Sequence, residues 1–225
     1  MDKIAEVIEA TTGEFTAQSY QLHWAPPLGS LVKTCTPMAA PVGEAHEPPL
    51  HEPPLHVPVP ANEQARTPGA AIYGVVCYSA TGSLEPGRRP VARGRDLEEE
   101  EEVYRQNPQL ARLLCTSFKA LIVGYHDGSR VWHYLPPRPP RVHAFVYACR
   151  QEEVAAFTRS LDFLTLLLGA SLSIPTDELV AACLRTSATA RQDGRSFLVG
   201  AGKELALLLA GEPARLNAIL RKIRP

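Results

Sequence analysis

The chain has 225 residues, 45% hydrophobic and 21% charged, and its 23 basic and 24 acidic side chains leave a net charge of −1. A chain of this length can bury a core without staples, and the balanced charge supplies no general positive field for gathering phosphates, so DNA binding has no support from charge. The five cysteines, at 35, 77, 115, 149 and 183, are odd in number and far apart and form no Cys-x-x-Cys, which argues against a disulfide framework and a structural zinc site and for reduced thiols in a cytoplasmic protein.

The opening residues MDKIAEVIEA lack the basic and then apolar pattern of a secretory signal. Ile4, Val7, Ile8, Phe15, Tyr20 and Leu22 alternate with Thr, Ser and Gln around Thr12-Gly13, which predicts two strands and a turn. Pro26-Pro27 stops the second strand, and Leu28 to Val32 begins a third. Residues 36–68 are proline-rich and repeat a pentad in HEPPLHEPPLHVPVP, which predicts an extended surface insertion. Its His46, His51 and His56 are five residues apart and point to different faces of a polyproline helix, so no metal site is expected.

Strand character resumes over Ala70 to Tyr78. Helices are expected within 96–116, the first capped by Asp96 with Glu98 to Glu102 in its opening turns, the second capped by Asn107 with Pro108 at its first position. Lys119 to Tyr134 predicts a hairpin turning at Asp127-Gly128, and Val142 to Cys149 one further strand. From Glu152 the period is helical, with Val154, Phe157, Leu161, Leu164 and Leu168 on one stripe. Thr176 caps the next helix, and the last runs over Leu198 to Ile223 with a break near Gly211-Pro213. No segment reaches the roughly 20 apolar residues of a bilayer span.

These elements predict an α+β protein: a small antiparallel β-barrel over 1–150, interrupted by the insertion, then a helical region over 151–225. The strands Ile4 to Val32, with PLGSLV, and Ala70 to Tyr78, with IYGVV, resemble the HAS-barrel, a small barrel found in HerA-type DNA translocases and ATP synthase subunits. The resemblance marks Gly29 and Gly74, with Asp127-Gly128, as barrel bends or turns. It implies a barrel that helps a larger machine assemble or engage a partner, here without the ATPase domain. FLVGAGKEL has Phe197 where a P-loop needs its first glycine and Glu204 where it needs a hydroxyl, so no ATP site is expected and Gly200 and Gly202 read as a helix start or bend.

No catalytic, cofactor or metal site is assigned. His126 with Asp127 and Cys149 with His143 each lack a visible orienting group. PPRPPR, 136–141, fits a Pro-x-x-Pro-x-Arg ligand pattern but reads as a stiff connection, and Arg215, Arg221, Lys222 and Arg224 read as cations favoured at a helix end. The expected activity is non-enzymatic protein interaction or assembly. Phe163, Leu166 and Leu167 lie off the buried stripe, as do Leu207 and Leu208 relative to their neighbours; Phe163, Leu166, Leu167 and Leu208 are the expected partner contacts, and a homodimer is expected. The alternative is a DNA-associated accessory protein, suggested by the HerA-type relatives and the basic loop Arg88 to Arg95.

Overall fold

The computed structural model describes residues 2–35, 70–85 and 87–223. The proline-rich insertion and its His46, His51 and His56 lie outside them. Among the described residues seven strands form one antiparallel sheet: β1 (Lys3–Ala10), β2 (Glu14–Ser19), β3 (Leu31–Thr34), β4 (Ala70–Ser83), β5 (Leu114–Asp127), β6 (Val131–Trp132) and β7 (Phe145–Ala148). β7 lies between β1 and β3, and β2 pairs with β5 as well as β1, so β1, β2, β5, β4, β3 and β7 close hydrogen bonds in a ring. Closure removes the unpaired edges that would otherwise template aggregation. The short β6 hangs on β5, and the Asp127-Gly128 turn joins them, with Gly128 at φ 101°.

β4 explains how the ring carries helices. Its Ile72 and Val76 face the ring interior with Val7, Phe15, Phe118 and Ile122, while Ala71, Tyr73, Val75 and Cys77 face outward into a second core shared with the helices. A strand buried on both sides reads as a continuous apolar run, as AAIYGVVC does. Gly74 faces inward, where a Cβ would lie 2.9 Å from Ala120 Cβ and 3.0 Å from Phe15 Cε1. Gly29, at φ 82°, sits in the turn before β3, and a Cβ there would come within 2.5 Å of the backbone at Ala182 and Cys183. Glycine is required there on both counts.

The helices are α1 (Glu100–Gln106), α2 (Leu110–Leu113), α3 (Gln151–Phe157), α4 (Leu164–Leu168), α5 (Thr176–Thr189), α6 (Gly194–Leu208) and α7 (Pro213–Ile223). Several boundaries differ from the sequence reading. Asp96 caps nothing: α1 begins after Glu99, with only Glu100 to Glu102 in its first turn. Asn107 ends α1 instead of starting a helix, its backbone and side-chain N–H groups both donating to Val103 O at 3.0 Å. Leu114 to Thr116, inside the expected helical region, belong to β5 because they pair with the far end of β4. Leu28 to Ser30 are a turn, and β3 starts only at Leu31.

The expected helix from Glu152 to Leu168 is two helices, broken where Thr158 caps α3 and Ser160 bonds Asp162 at 2.6 Å. The break reorients α4, so Phe163 and Leu167 are fully buried in this chain's own core, Leu166 is half-buried and Leu208 is 38% exposed. Pro175, not Thr176, occupies the cap position of α5, and the Thr176 hydroxyl accepts from Arg215 Nη2 at 3.2 Å. Gly200 and Gly202 lie inside α6 and mark neither its start nor a bend, while the break before Pro213 falls where expected.

Candidate interaction surface

The helical layer covers the outer faces of β3, β4 and β5, whose Leu31, Tyr73, Val75 and Val123 enter the shared core. The outer faces of β1 and β7 and the residue after β2 remain in solvent, leaving Ile8 46%, Tyr20 50% and Phe145 42% exposed. On this open face Lys3 Nζ stands 4.3 Å from the Phe145 ring centre and 5.6 Å from that of Tyr20, so one ammonium holds two aromatic rings through their negative faces. Tyr20 Oη donates to Glu6 Oε2 at 3.0 Å, and His143 Nδ1 lies 2.5 Å from Glu6 Oε1. The hydrogen bond to His143, followed by that from Tyr20, holds the Glu6 carboxyl below its ordinary pKa. Burial and then the Glu6 carboxylate raise the Tyr20 phenol. His143 adopts φ 68°, which places its ring beside β1.

The sequence's catalytic candidates are not assembled. Asp127 is taken up by its turn: its Oδ1 accepts from Ser129 N, Ser129 Oγ and Arg130 N at 2.8, 2.6 and 3.0 Å, and its Oδ2 from Trp132 Nε1 at 2.6 Å. These bonds hold its carboxyl far below the usual range. His126 Nδ1 accepts from Gly128 N at 3.0 Å, within the same turn. His143 and Cys149 flank opposite ends of β7, roughly 20 Å apart in extended chain. Burial pushes the Cys149 thiol well above its ordinary pKa and that of Cys183 up to about 12, leaving no activated thiolate at either.

Other candidate motifs are engaged structurally. Pro136 and Pro140 are buried, seating PPRPPR as the connection from β6 to β7. Arg215 donates to Asp177 at 2.7 Å, and Lys222 bonds Glu178, so these basic residues dock α7 on α5; Arg224 lies outside the described residues. In the basic loop, Arg88 pairs with Glu85 at 2.8 Å and Arg93 donates to Asn107 Oδ1 at 3.1 Å. An open hollow of about 790 Å³ beside it is lined by Val91, Arg95, Val103, Tyr104 and Leu110 among others. Among the described residues no group of three His, Cys, Asp or Glu side chains could hold a metal, and no helix is long and apolar enough to cross a membrane.

Sequence reading missed three features. Lys33 of β3 bonds Glu153 of α3 where both side chains are largely buried, a pairing across 120 residues that no local pattern signals. The Lys3, Tyr20 and Phe145 cluster likewise depends on β7 entering beside β1. The third was readable: Val199, 55% exposed, falls opposite the buried Phe197, Ala201 and Leu205 on a helical wheel and so joins Leu207, 73% exposed, on the outward side of α6. No protein-family model matches the chain, and no curated protein matches it either.

Proposed function

We propose that this chain is a non-enzymatic interaction or assembly module of the HAS-barrel type, and that the open face of its strand ring engages a protein partner within a larger complex. The observation that carries this reading is the aromatic pair Tyr20 and Phe145, exposed and yet held in place by Lys3 and Glu6. Exposed aromatics whose rotamers are already fixed lose little entropy on binding, and aromatic residues anchor interfaces more often than other types. The family reading draws its support from the PLGSLV and IYGVV strands, with Gly29 and Gly74 at a tight turn and an inward-facing close contact. As in that family, the module would assist assembly or partner engagement.

The test replaces Phe145, and separately Tyr20, by a photo-crosslinking phenylalanine analogue in the cells that make the protein, with buried Phe118 as the control position. The expected result is one discrete crosslinked protein from the two exposed positions and none from Phe118. Silence at both exposed positions, or steeply salt-dependent binding of the purified chain to DNA, overturns the reading.

A further inference from the structure

The outward face of α6 presents an unusual surface for a helix whose other side is fully packed. Phe197, Ala201, Leu205 and, just past the helix end, Leu209 enter the core, and Ile219 and Ile223 of α7 share that core. On the far side Val199 and Leu207 stand in solvent beside exposed Lys203, with Glu204 and Gly200 half-exposed between them and Leu208. A Cβ on Gly200 would meet nothing within 4 Å, so this position is a notch in the helix surface nearly two turns from the protruding Leu207. Among the described residues neither Lys203 nor Glu204 enters an ion pair, and as immediate neighbours on one helix they do not face each other.

This pattern is complementary to itself. A two-fold axis passing between residues 203 and 204, perpendicular to the helix, sets 203 opposite 204, 200 opposite 207 and 199 opposite 208 of a second copy. We propose that the chain forms an isologous dimer through antiparallel α6 helices, each Leu207 seated in the notch at the other copy's Gly200 and each Lys203 beside the opposing Glu204. A two-fold contact doubles every favourable pairing, so one knob, one notch and one opposite-charge pair per helix become two of each. Val199 and Leu208 lie about a quarter-turn to either side of this seam and form only its edges. This places self-association on α6, away from Phe163 and Leu167, which the chain's own core consumes.

A helix of 15 residues is only about 22 Å long, so the contact falls short of the roughly 800 Å² per partner of standard interfaces. The dimer is therefore weak, with a dissociation constant on the order of 10 to 100 μM. It rests on the reading of the chain as an assembly module but uses a different surface from the open face.

The experiment is sedimentation velocity on the purified full chain from micromolar to near-millimolar concentration, with circular dichroism confirming that each variant is folded. Wild type is expected to move from one chain to two across that range. Leu207→Glu should remain a monomer throughout. Lys203→Glu and Glu204→Lys should each weaken association by about tenfold, because each sets like charges side by side. The double variant Lys203→Glu/Glu204→Lys should return to within about threefold of wild type, since the swapped charges again oppose each other. A wild type that stays monomeric, a dimer indifferent to Leu207→Glu, or a double variant no tighter than the singles overturns the proposal. A monomer that still crosslinks through Phe145 removes the dimer and leaves the partner reading standing; a dimer whose open face crosslinks to nothing does the reverse.

Discussion

Among the described residues, the twelve buried side chains inside the strand ring include no leucine, whereas the core between ring and helices holds seven. Inside the ring, Ala5, Ala17 and Ala120 let strands approach closely, and Val, Ile and Phe fill the remaining space from a pleated surface that suits β-branched and aromatic residues. On the helical side, leucines of α4, α5 and α6 reach across larger gaps toward β4. The two cores are also secured differently. The ring closes through backbone hydrogen bonds around its circumference, while the helices are fastened by side chains: Lys33 to Glu153, Arg191 to Ala155 O and Thr158 Oγ1 at 3.1 and 2.9 Å, and Arg215 to Asp177. The contrast makes ring stability a matter of closure and small volumes, and helix docking a matter of a few long side chains. β4 couples the two because it lines both.

The most severe way to break this division is to place a charge among the leucines. Leu167 is completely buried, so Leu167→Glu strands a carboxylate in an apolar core and should cost about 5 kcal/mol or more, enough to abolish a cooperative melt in a protein of ordinary stability. The same substitution at Leu207, 73% exposed, should leave the melting temperature within about 2 °C of wild type. Thermal unfolding followed by circular dichroism compares the two. Equal losses would mean that the exposed and buried leucines of the helical layer are not distinct.

That pair of leucines also measures what the sequence made legible. The elements themselves were mostly readable, because period-two alternation around Thr12-Gly13 and Asp127-Gly128 and the helix break at Gly211-Pro213 are local signals. The division of faces was not. A single stripe drawn from Val154 to Leu168 assumes one straight helix, and the chain breaks at Thr158, which turns Phe163 and Leu167 inward. A small barrel was expected, but the strand order that closes the ring was equally hidden: β2 meets β5 across about a hundred residues, and β7 enters between β1 and β3 out of chain order. The aromatic cluster of the open face exists only once that order is known.

A subtler test removes one fastening. Burial alone would raise the Glu153 carboxyl, but the bonds from Lys33 and the Arg150 amide outweigh it and hold its pKa below the ordinary 4.5. A lowered folded-state value means that the pair's stabilisation is complete above that ordinary value and fades as the pH falls through the folded one. Glu153→Gln leaves the Lys33 ammonium, in a residue only 8% exposed, without its counter-charge. The expected loss at pH 7 is about 3 kcal/mol, seen as a melting temperature lowered by roughly 10 °C. Melting curves taken from pH 7 down to pH 3 should show the gap between variant and wild type closing on the acid side. A gap independent of pH would assign the effect to packing and remove the ion pair from the account of how helices are held on the ring.

The smallest effect belongs to the open face, where order comes from exposed groups that add little to stability. Glu6 accepts from Tyr20 Oη at 3.0 Å and lies beside His143, and none of the three contributes to either core. Glu6→Gln should therefore leave the melting temperature at neutral pH unchanged within error, because exposed ion pairs contribute little. It should nevertheless register on Tyr20. Burial is the larger cause of that phenol's raised pKa and survives the substitution, while the carboxylate's contribution disappears. The Tyr20 pKa should thus fall toward the ordinary 10.0 and stop short of it, as followed by the ring carbon shift in an NMR titration on specifically labelled protein. An unmoved Tyr20 would mean that Glu6 does not orient the phenol, and the open face would then present a mobile tyrosine in place of a fixed aromatic pair.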